Sequence, residues 1–161
     1  MELITNRPID LNVLLAEAHH PEAGAIVLFS GEARISNLGK SVQWLEYESF
    51  EPLAAKMISD IVNQAIVKWD LKFASCVHRV GKVGISEPAV CVITASPHRK
   101  EAYTANQYII HRVKHEVPIW KKEIFSDGTF AWGGNCNCAD QNKHDEFVGD
   151  EAINKSTRYE S

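Results

Sequence analysis

Two apolar runs, FASCVHRV (Phe73 to Val80) and AVCVITA (Ala89 to Ala95), stand on either side of the connection GKVGISEP. Each is shorter than a stable helix, rich in β-branched residues and bounded by turn formers, so each predicts a buried strand. The glycine-containing link between them predicts a hairpin-like connection. AGAIVLFSG, from Ala23 to Gly31, reads as a third buried strand for the same reasons. Val42 to Glu48 alternates instead, with Leu45 and Tyr47 on one face and Glu46 and Glu48 on the other, as a half-buried strand does.

Helical periodicity occupies the stretches between. Asp10 is placed to cap a short helix running to about Ala18, with Leu11, Leu14, Leu15 and Ala18 on one side. Glu51-Pro52 opens a longer helix, since proline suits the first helical position. Leu53, Met57, Ile58, Ile61, Val62, Ala65 and Trp69 form its apolar stripe. Ser96-Pro97 leads into a further helix from about His98 to Glu116, which Pro118 stops. EARISNLGK, with Asn37 and Gly39 and no apolar period, reads as a loop. The order β-β-α-β-β-α with short connections predicts an α+β domain rather than a doubly wound sheet. Glycines and polar residues dominate after Phe125, so 126–161 is expected to be a polar tail of weak or partner-dependent order on the single domain of 1–161.

Charge is distributed unevenly. From His98 to Lys122 the cations Arg99, Lys100, Arg112, Lys114, Lys121 and Lys122 face only Glu101 and Glu116, a local net of +4 in a chain of formal charge -4. A basic segment in an acidic chain predicts a local anion site, not a nucleic-acid surface, which would make the whole domain basic. No apolar run approaches the ~18 residues that span a bilayer. MELITNRPID lacks the basic and apolar regions of a secretory signal, so a cytoplasmic protein is expected.

Three basic groups are candidates for that site. Arg34 lies in the loop after the first strand. His98 and Arg99 sit where a strand gives way to a helix, where free N–H groups and the macrodipole favour an anion; a pair of solvent-exposed side chains is the alternative. Lys114, Lys121 and Lys122 flank VPIW, where desolvation would lower a lysine pKa; for Lys114 a favourable place near a helix C-terminus is an equal account. Cys76 and Cys91 lie inside strand-like runs, as buried, reduced core residues do. Cys136-x-Cys138 with His144 offers soft ligands, but not at the spacing of a standard zinc module. His111 and His115 are four apart on a helix without a third ligand. Glu46 and Glu48 read as a solvated sheet face. No metal is expected.

GAIVLFSGEAR, LEYESFEPLA, VHRVG, SPHRKEAYTANQYII and VKHEVPIWKKE occur here in the order and spacing of the molybdopterin synthase large, catalytic subunit. Over roughly Gly24 to Phe125 the chain resembles that family. The resemblance implies a hammerhead-type α/β core with a mostly antiparallel sheet and two main helices. It also implies a sulfurtransferase that installs two sulfurs on a cyclic pyranopterin monophosphate to make the dithiolene of molybdopterin. The sulfur comes from the C-terminal thiocarboxylate of a small ubiquitin-like subunit ending in Gly-Gly. The family's two active-site lysines fall on Lys114 and Lys121, its substrate-binding His-Arg pair on His98 and Arg99, its loop arginine on Arg34 and its aromatic position on Phe29. A homodimer within a heterotetramer is implied. No cofactor is called for, nor a nucleic acid or membrane partner. Relatives often carry a further basic residue after Phe125, but here Thr129 to Gln141 contains none, leaving Lys143 or Arg158 as substitutes. The rival reading is a non-catalytic module that binds the ubiquitin-like carrier.

Overall fold

A computed structural model describes residues 2–37 and 39–133. Twelve elements are formed among them: β1 (Ile4–Thr5), α1 (Leu11–Glu17), β2 (Ala25–Glu32), β3 (Ser36–Asn37), β4 (Lys40–Ser49), α2 (Glu51–Trp69), β5 (Phe73–Arg79), β6 (Gly81–Gly84), β7 (Pro88–Ser96), α3 (Arg99–Glu116), β8 (Ile119–Phe125) and β9 (Phe130–Gly133).

The chain is α+β, and its strands divide between two sheets. In the first, the order is β1-β5-β7-β2. Its pairings are antiparallel except that of β1 with β5. In the second, the path is β3-β4-β8-β9, and β6 also pairs with β4. The apolar runs form β5 and β7, and both are buried along most of their length because helices cover the sheet. α2 and α3 pack on one face, where Ile58, Ile61, Ile109, Val113, Val92 and Cys76 meet. Leu14 of α1 packs with Val77 and Cys91 in a separate, smaller cluster. A further cluster of Val42, Leu45, Val83, Ala89 and Phe125 fills the inside of the second sheet.

Helix boundaries follow the local chemistry. Asp10 caps α1 by accepting from the Asn12 N–H at 2.9 Å and the Val13 N–H at 3.4 Å. Pro52 sits in the first turn of α2. Val117 ends α3 in an extended conformation, as a residue before proline prefers. Along α2 the buried stripe runs through Ala54, Ile58, Ile61, Val62 and Ala65, whereas Leu53, expected in that stripe, is exposed.

Four departures from the expected elements matter. The link GKVGISEP is not a plain hairpin connection, because Gly81–Gly84 leaves the first sheet and pairs with β4 of the second. Residues 119–125, which follow the Pro118 that stops the helix and are expected in no element, form β8, which runs antiparallel to β4 over nearly its whole length. Within EARISNLGK, Ser36–Asn37 folds back on Lys40–Ser41 as a two-residue strand, helped by the positive φ of Gly39. The start of the expected polar tail forms a turn and β9, which pairs with β8. The remainder of that tail, with Cys136, Cys138, Lys143, His144 and Arg158, lies outside the described residues.

α3 runs alongside β2, and the two begin together. A Cβ on Gly24 would lie 2.5 Å from the Pro97 carbonyl oxygen, so only glycine allows this approach. Ile109 of α3 is wholly buried between helix and sheet. Ile109→Ala is expected to lower stability by about 2–5 kcal/mol, read from the midpoint of a denaturant titration.

Candidate active site

A pocket of about 310 Å³ opens between the two sheets. Arg34 reaches it from the loop after β2, Lys114 from the last turn of α3, and Lys121 from β8. Three cations from distant parts of the sequence therefore share one cavity. Strand alternation decides which lysine of the Lys121-Lys122 pair belongs to it. Lys121 points inward. Lys122 lies on the outer face, 4.4 Å from the Phe130 ring centroid and 5.5 Å from that of Trp132.

Lys121 is held by a carboxylate that the sequence pattern alone does not single out. Glu123, two residues beyond Lys121 on the same strand face, is 6% exposed. It accepts a bond of 2.8 Å from Lys121 Nζ and one of 2.8 Å from Asn37 Nδ2. Burial pushes the Glu123 carboxyl up, but the bonds from Lys121 and Asn37, with the charges of Lys121 and Arg34, outweigh it and hold the group below its usual range. The signal that would find this pair is the i, i+2 spacing, which has meaning only once 119–125 is known to be a strand.

Lys114 has no such carboxylate partner among the described residues; its Nζ stands 6.0 Å from the Phe29 ring centroid. Its pKa is lowered, first by burial and then by the positive charges of Lys121 and Arg34. A half-buried amine of this kind sheds its proton more easily than an ordinary lysine. It is suited to act as a base or nucleophile, or when protonated to offset negative charge.

Two further groups line the floor. His78 on β5 is 4% exposed, with Nδ1 2.8 Å from the Arg79 carbonyl oxygen. That oxygen can only accept, so Nδ1 carries the proton and Nε2 keeps its lone pair. Its ring packs edge-on to Tyr47, with centroids 5.1 Å apart. Burial lowers the His78 pKa to about 4, with the Lys114 charge acting in the same direction and the carbonyl bond opposing. Burial and Glu123 raise the Tyr47 phenol to about 12. In the sequence His78 is one of three polar residues, with Ser75 and Arg79, inside an otherwise apolar strand run, which is its available signal.

His98 and Arg99 do not join this pocket. They are exposed at the start of α3, in a separate cleft of about 450 Å³ with Gly24, Ala25, Pro97 and Lys100. Fifteen residues of helix between Arg99 and Lys114, at 1.5 Å each, separate the two places by about 22 Å. His111 and His115 stack with centroids 4.1 Å apart on the far part of α3. Among the described residues no group of three or more metal-ligating side chains occurs. No described helix is long and apolar enough to cross a membrane. Cys76 and Cys91 are buried and free, and burial raises both thiols, Cys91 to about 11.

The chain is similar in sequence and fold to known proteins. A protein-family model described as MoaE protein covers residues 4–116. The molybdopterin synthase catalytic subunit of Bacillus subtilis is 45% identical over 125 residues, which is 78% of this chain and 80% of that protein. A solved molybdopterin synthase structure from Staphylococcus aureus superposes with a TM-score of 0.77 at 40% identity, covering 81% of this chain and 95% of that one. A complex of subunits 1 and 2 of molybdopterin-converting factor from Helicobacter pylori shares the fold, with a TM-score of 0.67 at 22% identity, covering 88% and 91%.

The buried neutral His78 makes stability depend on pH. Between its ordinary pKa of 6.5 and about 4 the unfolded chain binds a proton that the folded chain refuses. Stability is therefore expected to fall as pH drops through that window, and His78→Gln to flatten the fall in melting temperature. At the lysines, pH-dependent amine labelling of Lys114 should titrate below the ordinary lysine value of about 10.4. In Lys121→Met that titration is expected to move upward, because one repelling charge is gone.

Proposed function

The chain belongs to the MoaE family, and on that premise we propose that sulfur transfer takes place in the pocket shared by Arg34, Lys114 and Lys121. Its curated relatives are molybdopterin synthase catalytic subunits, and the chain is an enzyme of molybdenum-cofactor biosynthesis. The observation that carries the siting is the convergence of three cations on one cavity, with Lys114 desolvated.

The proposed substrate is a cyclic pyranopterin monophosphate, and the sulfur donor is the thiocarboxylate at the end of a ubiquitin-like subunit. Both carry negative charge into the pocket. Arg34 and Lys121 offset it at no cost in reorganisation, because Glu123 already fixes the Lys121 ammonium. Lys114 acts at the reacting centre, where the thiocarboxylate sulfur attacks a precursor carbon, the displaced oxygen leaves with a proton, and water then cleaves the acyl–sulfur bond to release the carrier as a carboxylate. Phe29 supplies an apolar wall beside Lys114. With sulfur delivered on a protein tail, no thiol nucleophile is needed, which suits two buried, weakly acidic cysteines. The H. pylori protein of like fold was solved as a two-subunit complex, in keeping with a small-subunit partner here. A cytoplasmic setting suits such an enzyme.

His98 and Arg99 serve the same substrate in this reading only if a second copy brings them. The topology supports that. β2 is an edge of its sheet, eight residues long and apolar over most of its length. Its start touches the His98-Arg99 cleft and its end, through Gly31 and Glu32, touches the lysine pocket. A two-fold that pairs β2 edges antiparallel would set each cleft against the other copy's pocket. The proposed assembly is accordingly a homodimer with a carrier subunit at each end.

Sulfur transfer is measured by mixing the protein with thiocarboxylated carrier and precursor and assaying molybdopterin. Lys114→Ala is expected to reduce turnover by about a hundredfold or more, in the range seen on removing a transition-state charge partner. A non-catalytic carrier-binding module would bind the carrier without turnover and tolerate Lys121→Ala. Mixing Lys114→Ala with Arg99→Ala should restore about a quarter of wild-type activity if subunits exchange at random and each site draws on both copies. No recovery from exchanged dimers would place Arg99 outside the site.

A further inference from the structure

We propose that Gly133 is a positioning residue for Lys121, its missing side chain forming the channel along which the lysine reaches the pocket. The proposal rests on the reading of Lys121 as a site residue. Gly133 lies directly opposite Lys121 in the β8–β9 ladder. A Cβ placed on it would stand 3.2 Å from Lys121 Cε and 3.8 Å from Nζ. The backbone does not require glycine there: the positive-φ glycines among the described residues are Gly39, Gly81 and Gly128. Glycine in a strand weakens it, and a common reason is close approach by another group. At Gly133 that group is the side chain of Lys121.

The surroundings decide what must yield if the space is filled. On the outer face β9 is fastened to β8 by Lys122, which lies over the Phe130 and Trp132 rings. The strand pairing fixes the backbone from Lys121↔Gly133 to Ile124↔Phe130. β9 is thus poorly placed to retreat, and the far end of Lys121 is the softest neighbour. Lys121 is 17% exposed, with Nζ 2.8 Å from Glu123 Oε1. An added Cβ would press Lys121 Cε aside by a few tenths of an ångström, and the larger valine side chain would press it further, drawing Nζ from its place beside Glu123. The outward lysine anchors the hairpin, the inward one serves the pocket, and the glycine keeps the two tasks compatible.

Gly133→Ala and Gly133→Val, each made alone and with Lys121→Ala, test this in the full chain with its carrier. A displacement of about 1 Å at a reacting group can cost up to about a hundredfold, so turnover should fall modestly for Ala and tenfold or more for Val. Melting temperature reports whether the hairpin still folds, and the alanine variant serves should valine not. In the Lys121→Ala background the Gly133 changes should cost nothing further, as expected for residues acting through one another. The labelling of Lys114, which needs no turnover, should shift to higher pH in Gly133→Val as the Lys121 charge withdraws. Wild-type turnover and labelling in Gly133→Val would overturn the proposal, as would an equal loss in both backgrounds. Full activity of Lys121→Ala would instead sink the reading on which it rests.

Discussion

Arg34, Lys114 and Lys121 repel one another, and the architecture around the pocket is what keeps them together. In water their charges would be largely screened; in a half-buried cavity they are screened far less. Glu123 offsets the repulsion from inside the sheet, tied at one oxygen to Lys121 and at the other to Asn37. Burial first, and then the repulsion that Glu123 leaves, disfavours the charged form of the Lys114 amine. The burial that disfavours the Lys114 ammonium is the same feature that would suit the amine to the proposed reaction.

This arrangement needs two sheets. The first, with α2 and α3 on one face, provides the rigid body and carries Lys114 out to its rim. The second, built on β4, supplies Tyr47 from β4 itself and Lys121 and Glu123 from β8. β6 helps to join the units, because it follows β5 of the first sheet directly yet pairs with β4 of the second. The cavity forms where the sheets diverge, and His78 and Tyr47 meet at its floor. α3 connects the two basic regions by its length alone, with the exposed His98-Arg99 cleft at its start and the pocket at its end. One helix therefore carries a basic group at each end.

Much of the fold is legible in the sequence. The apolar runs at 73–80 and 89–95 had to be buried strands, and α2 and α3 follow from their periodicity and their prolines. Lys114, Lys121 and Arg34 are recognisable by family pattern, and the positive charge between His98 and Lys122 gives an independent reason to group the two lysines. Glu123 escapes a sequence reading because Pro118 stops the preceding helix and the pattern marks no strand across 119–125. Without the period of two, the Lys121-Glu123 pair has no face to share. His78 escapes it because a polar residue inside an apolar strand has no single meaning until its neighbours are known. Lys122, grouped with Lys121 by adjacency, faces the other way.

The sequence by itself determined the elements and the family, since periodicity, caps and motif spacing are properties of neighbouring residues. It also determined where positive charge would concentrate, because six cations against two acids between His98 and Lys122 are a matter of composition alone. Which of those cations meet was decided only by the tertiary structure. The distances between Lys114, Lys121 and Arg34 depend on how two sheets are joined, and the separation of Arg99 from Lys114 on the straightness of α3. Strand register, not composition, turned Lys121 inward opposite a glycine and Lys122 outward onto aromatic rings. Register is a long-range property, fixed by pairing between segments far apart in the chain, and local sequence carries too little of it to be read in advance.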